Sequence, residues 1–301
     1  MNEVAEVKKA LVVCSIIYLI MAFSGWWAYY YSNSQAILLD GNYSFIAFFV
    51  TLIAIRISAI KAKTTDTFPF GQYVYEALFS FAQGIMIITI LLVAVVMSIS
   101  RILRYINGAP TDILDTGVIL GYTVFMVILC FVLAFYCRRQ NKKINNSSMI
   151  LRAEYTAAKL DGTISLTTGL TLFAMGYVSI KGEFGFVHYI GDAILVLLLS
   201  VFLVKDPFIL VRDSFVELAG GTLQNEDEKE NIEGILNEYI NDDALQDDFI
   251  SKTGSSYFVV AYLSGESMEE LGPEQLEQLK DKILERLKED YPHAIFEIAL
   301  A

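Results

Sequence analysis

Long apolar stretches separated by short polar ones fill the first two thirds of the chain. A helix needs about 20 apolar residues to cross the hydrocarbon core of a membrane, and six stretches reach or approach that length. They cover residues 10–31, 36–60, 74–100, 113–137, 150–180 and 187–204. The pattern therefore predicts six transmembrane helices followed by a tail of a different kind.

The tail alternates helical and strand-like patterns. An amphipathic helix is predicted to leave the sixth span and to end at Gly220 and Gly221. Helix 226–240, strands 248–252 and 257–263, helix 273–290 and strand 294–300 follow, with a loop at 265–272. This αββαβ order is typical of a small α+β sandwich of ferredoxin-like type. The predicted fold is an α-helical membrane domain over residues 1–206 and a ferredoxin-like domain over 207–301.

Composition supports this division. Of the 301 residues, 55% are hydrophobic, and the mean hydropathy is +0.50, whereas soluble domains carry more charged surface. The net charge of −12 is unevenly spread, because residues 222–301 hold 20 acidic and 6 basic side chains. An acidic tail argues against nucleic acid as a partner, and we expect a well-solvated tail surface.

Lysine and arginine mark alternate ends of the spans. The start of the first span and the ends of the second, fourth and sixth spans would lie on one side of the membrane. These positions carry Lys8, Lys9, Lys61, Lys63, Arg138, Arg139, Lys142, Lys143, Lys205 and Arg212. The opposite ends carry only Arg101, Arg104 and Lys181. Because cytoplasmic loops are enriched in these residues, both termini and the tail are predicted in the cytoplasm. The expected location is the plasma membrane, the inner membrane of a bacterium.

Three cysteines, Cys14, Cys130 and Cys137, fall in or at the end of apolar stretches and form no CxxC pair. Their placement predicts small buried hydrophobic residues rather than disulfides or metal ligands.

Two aspartates lie inside predicted spans. An ionisable side chain at membrane depth is costly unless it is paired, hydrated or ligated, so it indicates function. Asp161 lies about 15 Å into the fifth span at about 1.5 Å per residue. In the second span, Ser44 shares a helix face with Asp40, and Gly41 allows close helix approach. The pattern predicts a polar site between spans two and five.

Further polar residues extend this site. Glu154 lies seven residues before Asp161 on the same helix face, which indicates a polar path from the cytoplasmic end. In the third span, Gln83 is deep enough to need a partner on another helix. Glu76 starts that span, where water at the membrane surface is expected to solvate it.

Three stretches resemble the cation diffusion facilitator family of metal exporters. They are FPFGQYVYEALFSFAQG at 68–84, LRAEYTAAKLDG at 151–162 and KDPFILVRDSFVELAGG at 205–221. In order and spacing they are similar to the family's third-span start, fifth-span opening and exit from the sixth span. The resemblance implies six spans, cytoplasmic termini, an αββαβ tail and a homodimer joined through the tail domains.

The resemblance also implies a transport site. The family holds its cation with two residues four apart in span two and two residues four apart in span five. The matching positions here are Asp40, Ser44, Ala157 and Asp161. Alanine cannot ligate a cation, so this site is degenerate. The histidines lie elsewhere, His188 in a predicted outer loop and His293 in the tail.

Oxygen donors suit harder cations than the nitrogen and sulfur donors that Zn²⁺ prefers. With Asn42 or Ser165 as further oxygen donors, the site favours Mn²⁺, Mg²⁺ or Fe²⁺, with Zn²⁺ retained as the family's metal. The strand segments YFVVAYL and IFEIAL of the tail contain no histidine, so no tight metal site is expected there.

The function that the resemblance implies is export of a divalent cation in exchange for protons. The partners would then be the cation, the proton, membrane lipid and a second copy of the chain, without a bound cofactor. Asp40, Asp161 and Glu154 are carboxylates that could exchange protons for the cation. The degenerate positions keep an alternative open, a non-transporting scaffold, sensor or partner subunit. Enzymatic catalysis is not expected, because no nucleophile–base pair is found.

Overall fold

The computed structural model describes residues 3–32, 35–108, 117–175, 185–241 and 243–301. Within these ranges, seven helices precede the tail. They are α1 (Glu3–Ser32), α2 (Gln35–Ile60), α3 (Val74–Ile106), α4 (Gly117–Lys143), α5 (Met149–Met175), α6 (Val187–Leu203) and α7 (Lys205–Leu218).

Five helical segments of the described residues are long and apolar enough to cross a membrane. They are Val4–Tyr31, Asp40–Ile60, Val74–Ile106, Leu120–Lys143 and Val187–Leu218. Their outer faces expose large apolar side chains such as Leu92, Phe135 and Val201, as expected for a surface in contact with lipid. Six spans remain a prediction, because α5 is not among these segments.

Helix α5 is long enough to span a membrane, with 27 residues, but it carries four charged side chains, Arg152, Glu154, Lys159 and Asp161. Two of its basic residues form ion pairs with the α7 helix. Lys159 pairs with Asp206, and Arg152 pairs with Asp213 at 2.9 Å. The polarity of α5 is therefore directed partly towards neighbouring helices, which composition alone cannot show.

The sixth predicted span continues almost without interruption into the exit helix. Val204, between α6 and α7, has helical dihedral angles (φ −66°, ψ −23°). The boundary between the two helices lies at Val204, before the predicted break at Pro207. Proline is tolerated there because Pro207 falls in the first turn of α7, where a helix needs few backbone donors.

The tail contains α8 (Glu226–Tyr239), β1 (Leu245–Thr253), β2 (Ser256–Leu263), α9 (Gly265–Asp290) and β3 (Ala294–Leu300). The sheet order is β1-β2-β3, with β1 antiparallel and β3 parallel to β2. Its core is formed by Ile232, Leu236, Val259, Ile283, Leu287 and Phe296. The predicted order αββαβ is found, and the ferredoxin-like classification stays a prediction.

Residues 265–271, predicted as loop, belong to α9. Ser264 caps this helix, because its hydroxyl oxygen accepts a hydrogen bond from the backbone N–H of Ser267 at 3.3 Å. A break follows at Gly272, whose φ of 67° suits glycine. The prediction of a loop was wrong because it used Gly272 and Pro273 as a boundary, whereas they only interrupt the helix.

A buried ion pair stabilises the tail core. Lys252 of β1 lies 3.0 Å from a carboxylate oxygen of Glu228 on α8. The Tyr257 hydroxyl donates to the same oxygen at 2.7 Å. Burial alone lowers the pKa of Lys252, but the interactions with Tyr257, Glu228 and Glu217 outweigh it and raise the pKa above its ordinary value.

Candidate cation site

Asp40 lies where α2 crosses α1 at close range. A Cβ atom on Gly25 would lie 2.7 Å from the Cα atom of Gly41, so this approach requires glycine. The crossing also leaves room for α4, whose Tyr122 hydroxyl donates a hydrogen bond to the Asp40 carboxylate at 2.5 Å. The role predicted for Gly41, close helix approach beside the carboxylate, is confirmed.

Asp161 lies at a second close crossing, between α5 and α4. The Cys130 thiol donates a hydrogen bond to the Asp161 carboxylate at 3.2 Å. A Cβ atom on Gly162 would lie 2.9 Å from the Cβ atom of Cys130, closer than such atoms normally approach. Each carboxylate is therefore followed by a glycine that brings its helix against a neighbour.

The two aspartates are near enough for the charge of Asp40 to act on Asp161. Each is hydrogen-bonded to a side chain of α4, Asp40 to Tyr122 and Asp161 to Cys130. Within the described residues, no three His, Cys, Asp or Glu side chains are arranged to hold a metal ion. A shared cation would require the carboxylates to exchange these hydrogen bonds for ligand bonds.

The other predicted site positions do not contact the carboxylates in the same way. Ser44 is buried, but the side-chain hydrogen bond to Asp40 comes from Tyr122. Ala157 packs against an apolar cluster that includes Ile87. Asn42 accepts a hydrogen bond from the Trp26 indole at 3.0 Å, so it is engaged away from Asp40. The assignment of ligands therefore stays a prediction.

Tyr122 and Cys130 were missed as functional residues. Cys130 was predicted to be a small buried hydrophobic residue, and it is buried, but its thiol also meets a carboxylate. The two positions are eight residues apart, which places them about 80° apart around a helix of 3.6 residues per turn. Two side chains that can donate hydrogen bonds on neighbouring faces of an apolar span were a usable signal.

Glu154 occupies a separate polar cluster. It is 1% exposed and faces three helices other than its own. Its carboxylate accepts hydrogen bonds from the Tyr18 hydroxyl at 2.9 Å and from the Thr51 hydroxyl at 3.2 Å. A third hydrogen bond comes from the side chain of Gln83. The interhelical partner predicted for Gln83 is therefore Glu154.

Glu76 is not solvated, contrary to the expectation from its position at the start of a span. Glu76 and Lys61 are both 0% exposed, and the Lys61 ammonium lies 3.1 Å from a Glu76 carboxylate oxygen. Ser148 donates to the other oxygen at 2.9 Å, and Ser255 of the tail donates at 2.5 Å. The tail domain covers Glu76, which is why a local pattern could not predict its burial.

The turn between β1 and β2 connects the tail to the membrane domain. The backbone N–H of Gly254 donates to the Glu217 carboxylate of α7 at 2.8 Å. A Cβ atom on Gly254 would lie 2.6 Å from the carbonyl oxygen of Tyr73, so glycine is needed at this contact. We call the contacts of Lys61, Glu76, Ser148, Glu217, Gly254 and Ser255 the interdomain junction.

The histidines have structural surroundings. His188 was predicted in an outer loop, but it lies in the first turn of α6 and is buried. That prediction was wrong because position 188 already falls within the apolar stretch 187–204, and α6 begins at Val187 as that stretch predicts. His293 lies before β3, and its ring contacts that of Tyr73 at a centroid distance of 5.2 Å, next to the interdomain junction.

The long apolar helices, whose outer faces expose large apolar side chains, indicate an integral membrane protein. The model for the cation efflux transmembrane domain matches residues 11–219, which covers α1 through α7 almost completely. The chain therefore belongs to the cation efflux family, the cation diffusion facilitators, whose members transport metal cations and are not enzymes. None of the curated proteins compared with the chain matches it.

Proposed function

We propose that this protein exports a divalent cation from the cytoplasm in exchange for protons. The observation that carries the proposal is the electrostatically interacting pair Asp40 and Asp161 within a cation efflux domain. Two carboxylates neutralise one divalent cation, which lowers the cost of holding it inside a membrane.

In this proposal the cation replaces two hydrogen bonds. It takes the places of the Tyr122 hydroxyl at Asp40 and the Cys130 thiol at Asp161. Rocking of α2 and α5 against α4 would then expose the carboxylate pair alternately to the two sides of the membrane. Ser44 would assist as an oxygen donor, and Ala157 would contribute no ligand.

The cation is proposed to be Mn²⁺, Fe²⁺, Mg²⁺ or Zn²⁺. Carboxylate and hydroxyl oxygens suit the harder ions of this group. The thiol of Cys130 adds a softer donor beside Asp161, which supports Fe²⁺ and Zn²⁺ more strongly than the oxygen atoms alone.

The proposal includes six spans and an arrangement in the membrane. Both termini and the ferredoxin-like tail face the cytoplasm of a plasma membrane, because basic residues cluster at that end of the bundle. Two copies associate through their tail domains, as the family resemblance implies. Light scattering of the purified protein in detergent tests this association.

Reconstitution into vesicles tests the transport proposal. Mn²⁺, Fe²⁺, Zn²⁺, Mg²⁺ and Na⁺ are compared with and without a pH gradient. We expect Asp40→Asn and Asp161→Asn to reduce transport of the active cation to the level of empty vesicles. Asp206→Asn, which removes a carboxylate paired with Lys159, is the matched control and retains transport. Full transport by both site variants would contradict the proposal.

A non-transporting scaffold, sensor or partner subunit is the second candidate. Alanine at position 157 favours it, as does the lack of a three-ligand cluster among the described residues. This candidate predicts no heat of binding for any of the four divalent cations in calorimetry. Measured binding that disappears in Asp161→Asn would instead support the transporter.

A further inference from the structure

Glu154 is a fully enclosed carboxylate of the membrane domain that the cation pair leaves unused. Helices α1, α2 and α3 each direct one hydrogen-bond donor at it, from Tyr18, Thr51 and Gln83. These three hydrogen-bond partners are all neutral side chains. A buried carboxylate with neutral partners only is unlike Glu76, which has Lys61.

The Thr51 hydroxyl is placed so that it can hydrogen-bond either protonation state of Glu154. It lies 2.9 Å from the carbonyl oxygen of Ala47 and 3.2 Å from a carboxylate oxygen of Glu154. A hydroxyl has one proton and can also accept. It therefore donates to an ionised Glu154, or it donates to Ala47 and accepts the proton of a neutral Glu154.

The Gln83 side chain of α3 can also form a hydrogen bond with either protonation state of Glu154. Its side chain is 5% exposed, and its amide nitrogen serves Glu154 as a donor. Among the described residues, the amide oxygen of Gln83 is buried and has no hydrogen-bond partner. Such an oxygen is costly to leave unsatisfied. Rotation of the amide by half a turn would let this oxygen accept the proton of a neutral Glu154.

Other titratable groups around Glu154 are weak acids. Helix α1 contributes Tyr18 and Cys14, and α4 contributes Cys137, whose sulfur lies 3.3 Å from that of Cys14. Helices α2 and α3 contribute the neutral Thr51 and Gln83. Since thiols and phenols are neutral at physiological pH, Glu154 is the group in this cluster that can gain and lose a proton.

We propose that Glu154 carries the proton that is exchanged for the cation, while Asp40 and Asp161 carry the cation itself. This inference rests on the proposed function. It assigns the binding of the cation and the binding of the proton to different residues. The evidence is a buried carboxyl group whose neutral partners can donate to its ionised form and accept from its protonated form.

The exchange balances as a simple proton transfer. After the cation leaves, a proton from water on the far side forms an O–H bond with the Glu154 carboxylate. When the next cation binds, this bond breaks and the proton passes to water on the tail side. Seven residues of α5 separate Glu154 from Asp161, about 10 Å along the helix. A divalent charge at that distance favours the ionised carboxylate.

The test compares the wild type with Glu154→Gln, which keeps the shape of the side chain but cannot release a proton. In vesicles, we expect Glu154→Gln to retain exchange of labelled for unlabelled Mn²⁺ or Zn²⁺ without a pH gradient. It should lose accumulation driven by a pH gradient. Cation-induced proton release in weakly buffered detergent should fall by one proton per cation. Asp206→Asn, which removes a half-exposed carboxylate paired with Lys159, is the control and keeps this release.

Three outcomes separate the two proposals. If the wild type moves no cation, the proposed function fails. If the wild type transports and Glu154→Gln still accumulates cation with a pH gradient, the proposed role of Glu154 is wrong. If Glu154→Gln binds the cation in calorimetry but loses exchange as well, Glu154 has another role in the cycle, and the inference is again overturned.

A second variant does not remove the carboxyl group. Thr51→Val deletes a hydroxyl that hydrogen-bonds both forms of Glu154, but its bond to the ionised form is the stronger one because it is charge-assisted. Without this hydroxyl, Glu154 should hold its proton to higher pH. We expect the pH profile of gradient-driven transport to move up by about one pH unit. An unchanged profile in a variant that still transports would contradict the two-state hydrogen-bonding role.

Discussion

Single polar residues of the membrane domain are grouped by helix crossings rather than by their spacing along the chain. Asp161 and Glu154 lie seven residues apart on α5, yet they have different partners. Asp161 is hydrogen-bonded to Cys130 of α4, whereas Glu154 is hydrogen-bonded to Tyr18 of α1 and Thr51 of α2. One helix face therefore contributes to two chemically distinct sites.

Cys130→Ser tests whether the thiol influences cation preference. A thiolate binds Cd²⁺ and Zn²⁺ better than Mn²⁺, while a serine hydroxyl has no such preference. We expect the affinity for Cd²⁺ and Zn²⁺ to fall about tenfold, with little change for Mn²⁺. Competition calorimetry on the purified protein measures the three affinities.

Cys137→Ser is the matched control for this substitution. Cys137 is buried in the same helix, but its sulfur contacts Cys14 rather than a carboxylate. Its replacement should leave the order of cation affinities unchanged. Equal losses for all cations in Cys130→Ser would show that the thiol acts on packing and not on preference.

At the level of helices, close crossings determine which side chains meet the carboxylates. Gly25 and Gly41 bring α1 and α2 together, and Gly162 brings α5 against Cys130 of α4. A larger side chain at any of these positions would separate the helices. The glycines therefore set the geometry of the site without contacting a cation.

Gly162→Ala should destabilise the bundle. The added Cβ atom would lie 2.9 Å from that of Cys130, so α4 and α5 must move apart at a cost of about 1–3 kcal/mol. Gly121→Ala on α4 is the control, because no atom lies within 4 Å of its added Cβ. That variant should be neutral or up to about 1 kcal/mol more stable. Thermal unfolding in detergent compares the two, and equal effects would contradict this explanation.

On the scale of the whole molecule, the interdomain junction connects the tail to the ends of α2, α3, α5 and α7. Its centre is the buried ion pair of Lys61 and Glu76, to which Ser255 of the tail is hydrogen-bonded. Because both charges are fully buried, each depends on the other. Movement of the tail relative to the membrane domain would therefore disturb the ends of several spans at once.

Glu76→Gln removes the carboxylate charge that lies 3.1 Å from the buried Lys61 ammonium. We expect the free energy of unfolding to fall by about 3–5 kcal/mol, with faster proteolysis at the junction. The double variant Lys61→Met with Glu76→Leu removes both charges and should recover much of this loss. Denaturation in detergent measures the difference. No recovery in the double variant would mean that specific hydrogen bonds, not charge pairing, stabilise the junction.

Cysteine labelling tests the orientation in the membrane. The native cysteines are buried, so their background reactivity should be low. Asn107→Cys, beyond the far end of α3, should react with an impermeant maleimide in intact cells. Lys63→Cys, beyond the tail-side end of α2, should react only after the membrane is opened. The reverse pattern would overturn the proposed cytoplasmic location of the tail.

The apolar and polar pattern alone was enough to predict the helices, the αββαβ order of the tail and the two carboxylates inside the bundle. These features depend on local properties, such as the length of an apolar stretch or the cost of burying a charge. The same reasoning predicted Glu76 at a solvated surface and His188 in a loop, and it regarded Cys130 as a hydrophobic residue.

The errors at Glu76 and Cys130 share a physical cause, which is contact with a side chain far away along the sequence. The partner of Glu76 that seals it from water, Ser255, lies 179 residues away, and the partner of Asp40, Tyr122, lies 82 residues away. Contacts over such separations depend on which helices cross and how closely, and glycines at the crossings control both. The pattern of apolar and polar residues predicted that carboxylates lie inside the helix bundle. Only the packing of the helices decided that Asp40 and Asp161 are held by α4, and that Glu154 lies in a cluster of its own.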